Sequence, residues 1–250
     1  FKEMKTQKQI NIIGGGIAGL TTALALQNKG IDFRLFEKSA QITYENVGFG
    51  ISANIFPILE ELNILSETEK LGAKIKHLHF VDEKLKYINS FSINQPALSV
   101  NRKEFYKLIL DRLPSDKIVL NAEKLIADFD DTQMVISADG INSKTRKKWY
   151  PNLKKRNSNQ ILWRGIANIE LEEKFRNSYH DFVGNNLRFA IIDTGNNDYS
   201  WYIVKQNDNT TNEPENYSRE QLIRLFQNYH PVVKEIIQKA KSLGLITIID

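Results

Sequence analysis

The chain of 250 residues contains no cysteine, which excludes disulfide bonds, thiolate catalysis and metal sites built on cysteine. Histidine is scarce as well: four are scattered along the chain, and none has the HExxH spacing of a helical zinc site. His77 and His79 alternate along a predicted strand, where a half-exposed position is a more ordinary role for histidine than metal ligation. We therefore expect no metal centre.

The sequence also lacks a long apolar run. None approaches the ~20 residues of a membrane span, and residues 1–8 show no apolar core of a signal peptide. The net charge is only +4, and the positive charge clusters only at residues 144–148 and 154–156. Such short basic runs are usually solvated, so we expect no nucleic-acid partner. A cytoplasmic protein is the expectation.

What the sequence does contain is a glycine-rich turn between a predicted strand, residues 9–13, and an apolar, alanine-rich helix, residues 20–28. Three glycines in the GxGxxG spacing occupy this turn. The first allows a tight turn, the second lets the backbone approach a diphosphate, and the third packs the helix on the strand. The helix N-terminus then faces the phosphates with unpaired N–H groups. We predict dinucleotide contacts from the residues of this turn, Gly14, Gly16, Ile17, Ala18 and Gly19.

A second predicted strand, residues 33–37, ends on an acidic residue. Glu37 lies 18 positions after Gly19, close to the roughly 20 expected of a carboxylate that holds the ribose hydroxyls of a dinucleotide. We predict that Glu37 and the adjacent Lys38 contact the nucleotide. A GxGxxG pattern by itself often marks an ordinary turn, but a strand, a helix, a second strand and a terminal acid in register favour the dinucleotide site.

The rest of the chain mixes two patterns. Alternating apolar and polar residues predict antiparallel strands within residues 76–100, and three more strand-like runs lie between residues 161 and 205. Helical patterns lie between them and after them. Outside the strand–helix–strand segment of residues 9–37, the first predicted elements are a glycine-rich bend at 48–50, a short helix capped by Asn54, and a helix at 102–113 capped by Asn101. These are followed by predicted strands at 118–120 and 134–138 and a polar loop at 207–216. The last predicted elements are helices from Ser218 and from Pro231 and a strand at 245–249.

Two further motifs carry a family resemblance. In Asn101-Arg102-Lys-Glu-Phe105 an arginine opens a predicted helix, and residues 136–146 place Ser143 and Arg146 after Asp139-Gly140. With the glycine turn and Glu37, these motifs resemble the FAD-dependent aromatic-ring hydroxylases, single-component flavoprotein monooxygenases such as para-hydroxybenzoate and salicylate hydroxylases. The resemblance implies an α/β fold in which a Rossmann-like FAD-binding domain is interrupted by a mainly antiparallel β substrate domain. It assigns FAD contacts to Arg102, Asp139, Leu125, Gly48 and Gly50, the two glycines leaving room for the isoalloxazine ring.

The resemblance also implies the domain boundaries and the chemistry. We expect residues 1–75 and 98–150 to form the FAD domain, residues 76–97 and 151–217 the substrate domain, and residues 218–250 a helical segment and strand leading back to the FAD domain. In this family NAD(P)H, bound transiently, reduces FAD, and a flavin C4a-hydroperoxide made with O2 hydroxylates an aromatic or polycyclic substrate. The cofactor carries out the redox and oxygen-transfer chemistry, which explains why no pair of acid–base side chains is evident in the sequence.

Two features depart from the family pattern. The Gly-Asp motif that follows later in the family is absent, and the stretch between residues 120 and 135 is short. The chain begins at Phe1 and stops at Asp250 just after an apolar run, so we expect the sequence to be incomplete.

Several alternatives stay open. The same scaffold suits another flavoenzyme, such as an oxidase or an isoprenoid reductase, and also a non-catalytic dinucleotide-binding module. Arg102 and Arg146 are also compatible with solvated surface positions. Core packing is the ordinary role for the aromatic residues of the predicted β domain, with a pocket lining as the alternative; these are Trp163, Phe189, Trp201 and Tyr202. Arg164 and Gly165 would border such a pocket. The substrate, the choice between NADH and NADPH, and the oligomeric state are not determined.

Overall fold

A computed structural model describes residues 9–206, 217–241 and 243–249. The predicted polar loop at residues 207–216 lies outside the described residues. The helices are α1 (Ile17–Asn28), α2 (Phe56–Glu61), α3 (Leu65–Leu71), α4 (Arg102–Leu110), α5 (Lys144–Trp149), α6 (Arg219–Leu225) and α7 (Pro231–Lys239). The strands are β1 (Ile10–Ile13), β2 (Phe33–Phe36), β3 (Gly48–Ser52), β4 (Gly72–Lys74), β5 (His77–Val81), β6 (Tyr87–Ser92), β7 (Ala97–Asn101), β8 (Ile118–Val119), β9 (Met134–Ser137), β10 (Asn157–Asn168), β11 (Ser178–Val183), β12 (Leu187–Asp193), β13 (Asp198–Gln206) and β14 (Gly244–Ile249).

The chain divides into two compact units. The first contains residues 1–44 and 106–154, and the second contains residues 45–105 and 155–250. This division groups residues 45–75 and 98–105 with the second unit, whereas the sequence analysis placed them in the FAD domain. The functional domain boundaries given there therefore stay a prediction.

The first unit is built on a parallel sheet of four strands in the order β8-β2-β1-β9. Its central strand β1 is buried along its whole length, as its continuous apolar run predicts for a strand covered on both faces. Helix α1 follows β1 and packs on the sheet through Leu20 and Leu24, which are at most 2% exposed. The predicted strand–turn–helix–strand unit is thereby confirmed.

The second unit contains a seven-stranded sheet in the order β14-β10-β13-β12-β11-β5-β6 and a three-stranded sheet in the order β3-β7-β4. Neighbouring strands run antiparallel, apart from the parallel pair β11 and β5. The combination of a parallel Rossmann-like sheet with a separate antiparallel sheet confirms the predicted fold class.

Residues alternate between the two faces of the large sheet because strand side chains have a period of two. One face packs against α6 and α7, which bury Phe226 and Ile236 against it. Trp163, Phe189 and Trp201 belong to the same cluster and are at most 1% exposed. Core packing, the ordinary role considered for these aromatic residues, is confirmed for all three.

The structure corrects three local predictions. Residues 48–50 lie in strand β3, paired with β7, where a bend was expected. A Cβ at Gly48 would collide with Ser200, so the glycine permits close packing. Asn54 lies inside a 3-10 turn, Ala53–Ile55, and does not cap α2. Strand β11 was not predicted. It buries three polar residues, Ser178, His180 and Asp181, so its sequence lacks the alternation of apolar and polar residues that indicates a strand.

Other local predictions hold. The Asn101 side chain accepts a 3.0 Å hydrogen bond from the Lys103 amide at the start of α4, although that helix ends at Leu110, three residues early. Ser218 and Gln221 form the predicted capping box of α6. Among the described residues no helix combines the length and apolar character needed to cross a membrane.

Candidate functional site

The glycine turn of the first unit is held in a conformation that side chains would disturb. Gly14 has φ of +106°, and its amide donates a 2.8 Å hydrogen bond to the Phe36 carbonyl. A Cβ at Gly14 would collide with the Ala138 carbonyl, and one at Gly19 would collide with the Gly14 carbonyl. Around a Cβ at Gly16, in contrast, no atom lies within 4 Å. The turn is therefore packed from behind at two glycines and open at the third.

Glu37 lies directly after β2 and binds this turn. Its carboxylate accepts hydrogen bonds from the Gly15 amide at 2.7 Å and from the Ser39 amide at 2.9 Å. Burial opposes ionisation of Glu37, but the amide donors of Ser39 and Gly15 outweigh it and hold its pKa below the usual value. A carboxylate stands where the sequence predicts one, and it stays charged at neutral pH.

The N-terminus of α1 adjoins the open glycine. Gly16 is the N-cap, and no side chain caps the helix there. The Ile17 amide donates a 3.1 Å hydrogen bond to the hydroxyl of Tyr106, a partner that the sequence analysis did not identify. The positive end of the helix dipole makes this point favourable for an anion.

Asp139 closes the turn from the neighbouring strand β9. Its carboxylate accepts hydrogen bonds from the Ser137 hydroxyl at 2.9 Å and from the Thr145 amide at 3.1 Å. Burial opposes its ionisation, but hydrogen bonds from Ser143, Thr145 and Ser137 outweigh it and lower its pKa. Ser143 also caps α5 by accepting from the Arg146 amide at 2.8 Å. The Arg146 guanidinium binds the carbonyl of Ile141 in its own loop.

A cavity of about 220 Å³ lies in front of this turn. Six residues predicted to bind the cofactor line it together: Gly14, Gly16, Glu37, Lys38, Leu125 and Asp139. The other three from the turn, Ile17, Ala18 and Gly19, belong to the first turn of α1. The remaining polar lining residues were not predicted from the sequence; these are Glu123, Lys124, Asn142 and Lys144. Their only signal in the sequence was nearness to Leu125 and to the Asp139-Gly140 motif.

The second unit holds a larger cavity of about 550 Å³. Gly48 and Gly50 line it from β3, and the large sheet supplies most of the opposite wall. Arg164, Trp201 and Tyr202 are among the lining residues, so Tyr202 takes the pocket-lining alternative and Arg164 the predicted border position, whereas the Trp201 side chain belongs to the buried core. Gly165 is not among them.

Arg102 begins α4 in the second unit. Its amide donates a 2.8 Å hydrogen bond to the Val47 carbonyl, and its Nη1 atom lies 3.7 Å from the Glu45 carboxylate. Glu45 also pairs with the guanidinium of Arg164. One carboxylate thus holds two arginines, one predicted to bind FAD and one lining the larger cavity.

Comparison with known proteins identifies an FAD binding domain in this chain. Residues 7–116 match the family model described as an FAD binding domain. The chain is 22% identical over 266 residues to the aurachin C monooxygenase/isomerase of Stigmatella aurantiaca, covering 97% of this chain and 68% of that protein. It is 26% identical to the FAD-dependent monooxygenase dpfgE of Gibberella zeae, covering 57% of this chain and only 36% of that protein.

The FAD binding domain and the monooxygenases among its relatives support the resemblance of the chain to the FAD-dependent aromatic-ring hydroxylases. Solved structures share its fold. Klebsiella pneumoniae HpxO, complexed with FAD and uric acid, matches with a TM-score of 0.82 at 20% identity, covering 97% of this chain and 68% of that one. A mutant of 2-methyl-3-hydroxypyridine-5-carboxylic acid oxygenase matches with a TM-score of 0.79 at 20% identity, covering 97% and 70%.

The lining of the smaller cavity combines two features that favour binding of a nucleotide diphosphate. Gly16 leaves open space at the N-terminus of α1, where the helix dipole favours an anion even though the Ile17 amide is already bonded to Tyr106. Glu37 contributes a charged carboxylate to the lining of the same cavity. These groups are preformed by hydrogen bonds and packing within the first unit, so binding would require little rearrangement there.

Proposed function

We propose that this protein is an FAD-dependent monooxygenase that hydroxylates an aromatic or polycyclic small molecule. The observation that carries the proposal is that Gly48 and Gly50, assigned by resemblance to the flavin ring, line the 550 Å³ cavity. That volume is in the range of small-molecule sites. The walls are mainly apolar, with Ile51, Leu98 and Leu162 among the lining residues.

The cofactor supplies the redox chemistry and oxygen transfer, while the chain binds, orients and excludes water. In the proposal the glycine turn and α1 hold the FAD diphosphate, Glu37 holds its ribose, and Arg102 and Asp139 complete the cofactor contacts. NAD(P)H as the reductant and the C4a-hydroperoxide route are parts of the same proposal. In the proposal the nicotinamide binds transiently; the given sequence contains one glycine-rich fingerprint, which the proposal assigns to FAD.

The relatives support this proposal by their names. Two are named monooxygenases, and the HpxO structure contains uric acid, a flat heterocycle of a size that suits the larger cavity. From HpxO we infer for this chain only the class of ligand, a planar ring system, and not the particular compound. A cytoplasmic location and the absence of a nucleic-acid partner also remain predictions.

The test is a screen for NAD(P)H consumption by the FAD-loaded protein, stimulated by candidate aromatic compounds. A product heavier by one oxygen atom, with the label of ¹⁸O2 incorporated, supports the proposal. Oxidation of a substrate with O2 but without nicotinamide points to an oxidase instead. A colourless preparation that takes up no added FAD contradicts every flavoenzyme assignment.

A further inference from the structure

One segment of the first unit combines exposed apolar side chains with positive charge. Every residue from 147 to 154 is exposed. The exposed fraction is 59% for Trp149, 63% for Tyr150 and 64% for Leu153. The same stretch contains three lysines, Lys147, Lys148 and Lys154. We call residues 147–154 the basic–aromatic segment. So much apolar exposure within one short stretch is typical of a surface that contacts a binding partner.

Hydrogen bonds hold the backbone that carries this segment. At the start of α5 the Thr145 amide donates to the Asp139 carboxylate at 3.1 Å, and the Thr145 side chain is buried. At the end of α5 the Tyr150 amide donates to the Arg146 carbonyl at 2.8 Å, and the Leu153 amide donates to the Tyr150 carbonyl at 3.0 Å. The exposed apolar side chains therefore belong to a hydrogen-bonded helix end and the turn that follows it.

The charge of the surrounding sequence has one sign. Residues 144–156 contain seven lysines and arginines and no acidic residue. Lys144 pairs with Glu123 at 2.7 Å, but within the described part of the chain no carboxylate pairs with the three lysines of the basic–aromatic segment. The dipole of α5 favours Lys147 and Lys148 in its last turn. It explains neither Lys154 nor the exposed apolar side chains.

A lipid bilayer with anionic headgroups matches both properties. Tryptophan and tyrosine are enriched where a bilayer meets water, since each combines an apolar ring with a polar group, and lysines are attracted to anionic headgroups. We propose that the basic–aromatic segment docks the protein on the surface of an anionic bilayer, with Trp149, Tyr150 and Leu153 in contact with the acyl chains. Residues 147–154 line neither the smaller nor the larger cavity, so this inference is independent of the proposed activity.

Nucleic acid also attracts lysines, but it suits this surface less well. It binds exposed aromatic rings by stacking bases on them. It offers little apolar area to an aliphatic side chain such as Leu153, the most exposed of the three. A bilayer, in contrast, buries aromatic and aliphatic side chains alike. The bilayer is therefore the partner that accommodates all three apolar side chains.

The test measures sedimentation of the full chain with vesicles, either of phosphatidylcholine alone or of phosphatidylcholine mixed with phosphatidylserine. We expect binding to the mixed vesicles, with an affinity that falls as salt is added. Each cation at an anionic surface strengthens binding roughly fivefold. The double variant Lys147→Gln and Lys148→Gln should therefore weaken binding to the mixed vesicles at least about tenfold.

A second double variant, Trp149→Ser and Leu153→Ser, removes apolar contact and should also weaken binding at least about tenfold. Its matched control is Ile88→Ser and Phe91→Ser on β6, where the two side chains are 63% and 48% exposed. Charges of both signs lie next to that strand in the sequence, so the control should bind like the unaltered protein. The melting temperatures should change little, because every altered side chain is exposed.

Tryptophan fluorescence reports the insertion directly. The chain has three tryptophans; Trp163 and Trp201 are at most 1% exposed, whereas Trp149 is 59% exposed. Brominated phosphatidylcholine in the vesicles quenches indole rings that reach the acyl chains, so it should quench Trp149 and leave the other two unchanged. Trp149→Phe keeps an apolar ring and should remove the quenching while retaining most of the binding.

The outcomes are distinct. Quenching that requires phosphatidylserine and disappears in Trp149→Phe supports the inference, whether or not any compound is oxygenated. No binding to the mixed vesicles, binding without quenching, or an unchanged affinity in the lysine variant overturns it, and so does an equal loss in the β6 control. Tighter binding to a DNA or RNA oligonucleotide than to the vesicles assigns the surface to nucleic acid and also overturns it.

Discussion

The Oε2 atom of Glu37 accepts a 2.7 Å hydrogen bond from the amide of Gly15, so the carboxylate predicted to hold a ribose also holds the glycine turn. The contact joins the end of β2 to the turn that follows β1, two neighbouring parallel strands. Recognition of the sugar and the shape of the diphosphate turn therefore depend on one side chain. A change at Glu37 should affect both ends of the adenosine diphosphate site.

The first prediction concerns Glu37→Gln. The amide keeps the size of the side chain but loses the charge that strengthens hydrogen bonds from amides and sugar hydroxyls. A charge-assisted hydrogen bond contributes about 1.5–3 kcal/mol, so we expect the dissociation constant of FAD to rise by one to two orders of magnitude. Titration of the apoprotein with FAD, followed by quenching of flavin fluorescence, measures this constant.

Asp32→Asn is the matched control for Glu37→Gln. Asp32 precedes β2 at its opposite end, where it pairs with Lys117 at 2.8 Å, and it does not line the smaller cavity. FAD affinity should therefore stay near that of the unaltered protein. Equal losses in the two variants would show that general destabilisation, and not contact with FAD, explains the effect.

The second prediction separates two glycines of the turn. Gly16→Ala places a methyl group in open space, so the melting temperature of the apoprotein should change little while FAD binding weakens at least tenfold. Gly14→Ala forces a side chain onto a φ of +106° and against the Ala138 carbonyl, which should lower the melting temperature by several degrees. Thermal unfolding with and without FAD measures both effects; a large loss of apoprotein stability in Gly16→Ala would contradict the assignment.

The parts of the fold that sequence reasoning identified are those with local signals. The apolar strand β1, the glycine turn, Glu37 and the capping box at Ser218 are each encoded within a few residues, and the structure contains all of them. Six of the residues that line the smaller cavity were predicted for the same reason, because the glycine fingerprint and the Asp139 motif each follow a strand of one parallel sheet.

The parts that were missed depend on partners distant in sequence. From the sequence, Asp181 is a polar residue that would be expected to interrupt a strand. It is nevertheless buried in a strand, because Arg188 and Tyr179 donate hydrogen bonds to its carboxylate. Gly48 reads as a bend, but it is a strand residue because Ser200, far along the chain, approaches its backbone and accepts a 3.1 Å hydrogen bond from its amide. No local pattern contains such pairings, and they shape the wall of the larger cavity.

The third prediction concerns Arg102→Ala. If this guanidinium binds the FAD diphosphate or ribityl chain, as the resemblance implies, its removal should raise the FAD dissociation constant about tenfold or more. Lys103→Ala, an adjacent exposed cation on the same helix, should leave the constant unchanged. Since Arg102 also lies 3.7 Å from Glu45, Glu45→Gln is a useful companion variant; it disturbs that pair without removing the arginine and should retain FAD. Unchanged affinity in Arg102→Ala would remove this residue from the cofactor site.

The fourth prediction concerns stability and pH. His180 is fully buried on β11; its Nδ1 atom lies 3.1 Å from the Ser178 hydroxyl, and its ring lies against Phe175 and His79. Burial, with the nearby His79 and Lys174, lowers the pKa of His180 to about 3. Below about pH 6.5, the ordinary histidine pKa, this side chain therefore binds a proton in the unfolded chain but stays neutral in the folded chain. The stabilisation is fully present above about pH 6.5 and is lost as the pH falls toward 3.

Between pH 7 and pH 5 this linkage predicts a loss of about 2 kcal/mol in the free energy of unfolding from His180 alone. Glu37 and Asp139, whose pKa values are lowered, titrate below this window and contribute little to it. Urea denaturation at pH 5 and pH 7, followed by tryptophan fluorescence, measures the difference. His180→Gln should be less stable at pH 7 but should lose most of the pH dependence, whereas the exposed His77→Gln should keep it. A slope that survives in His180→Gln would mean that another group, such as His79, whose pKa is also lowered by burial, produces the pH dependence.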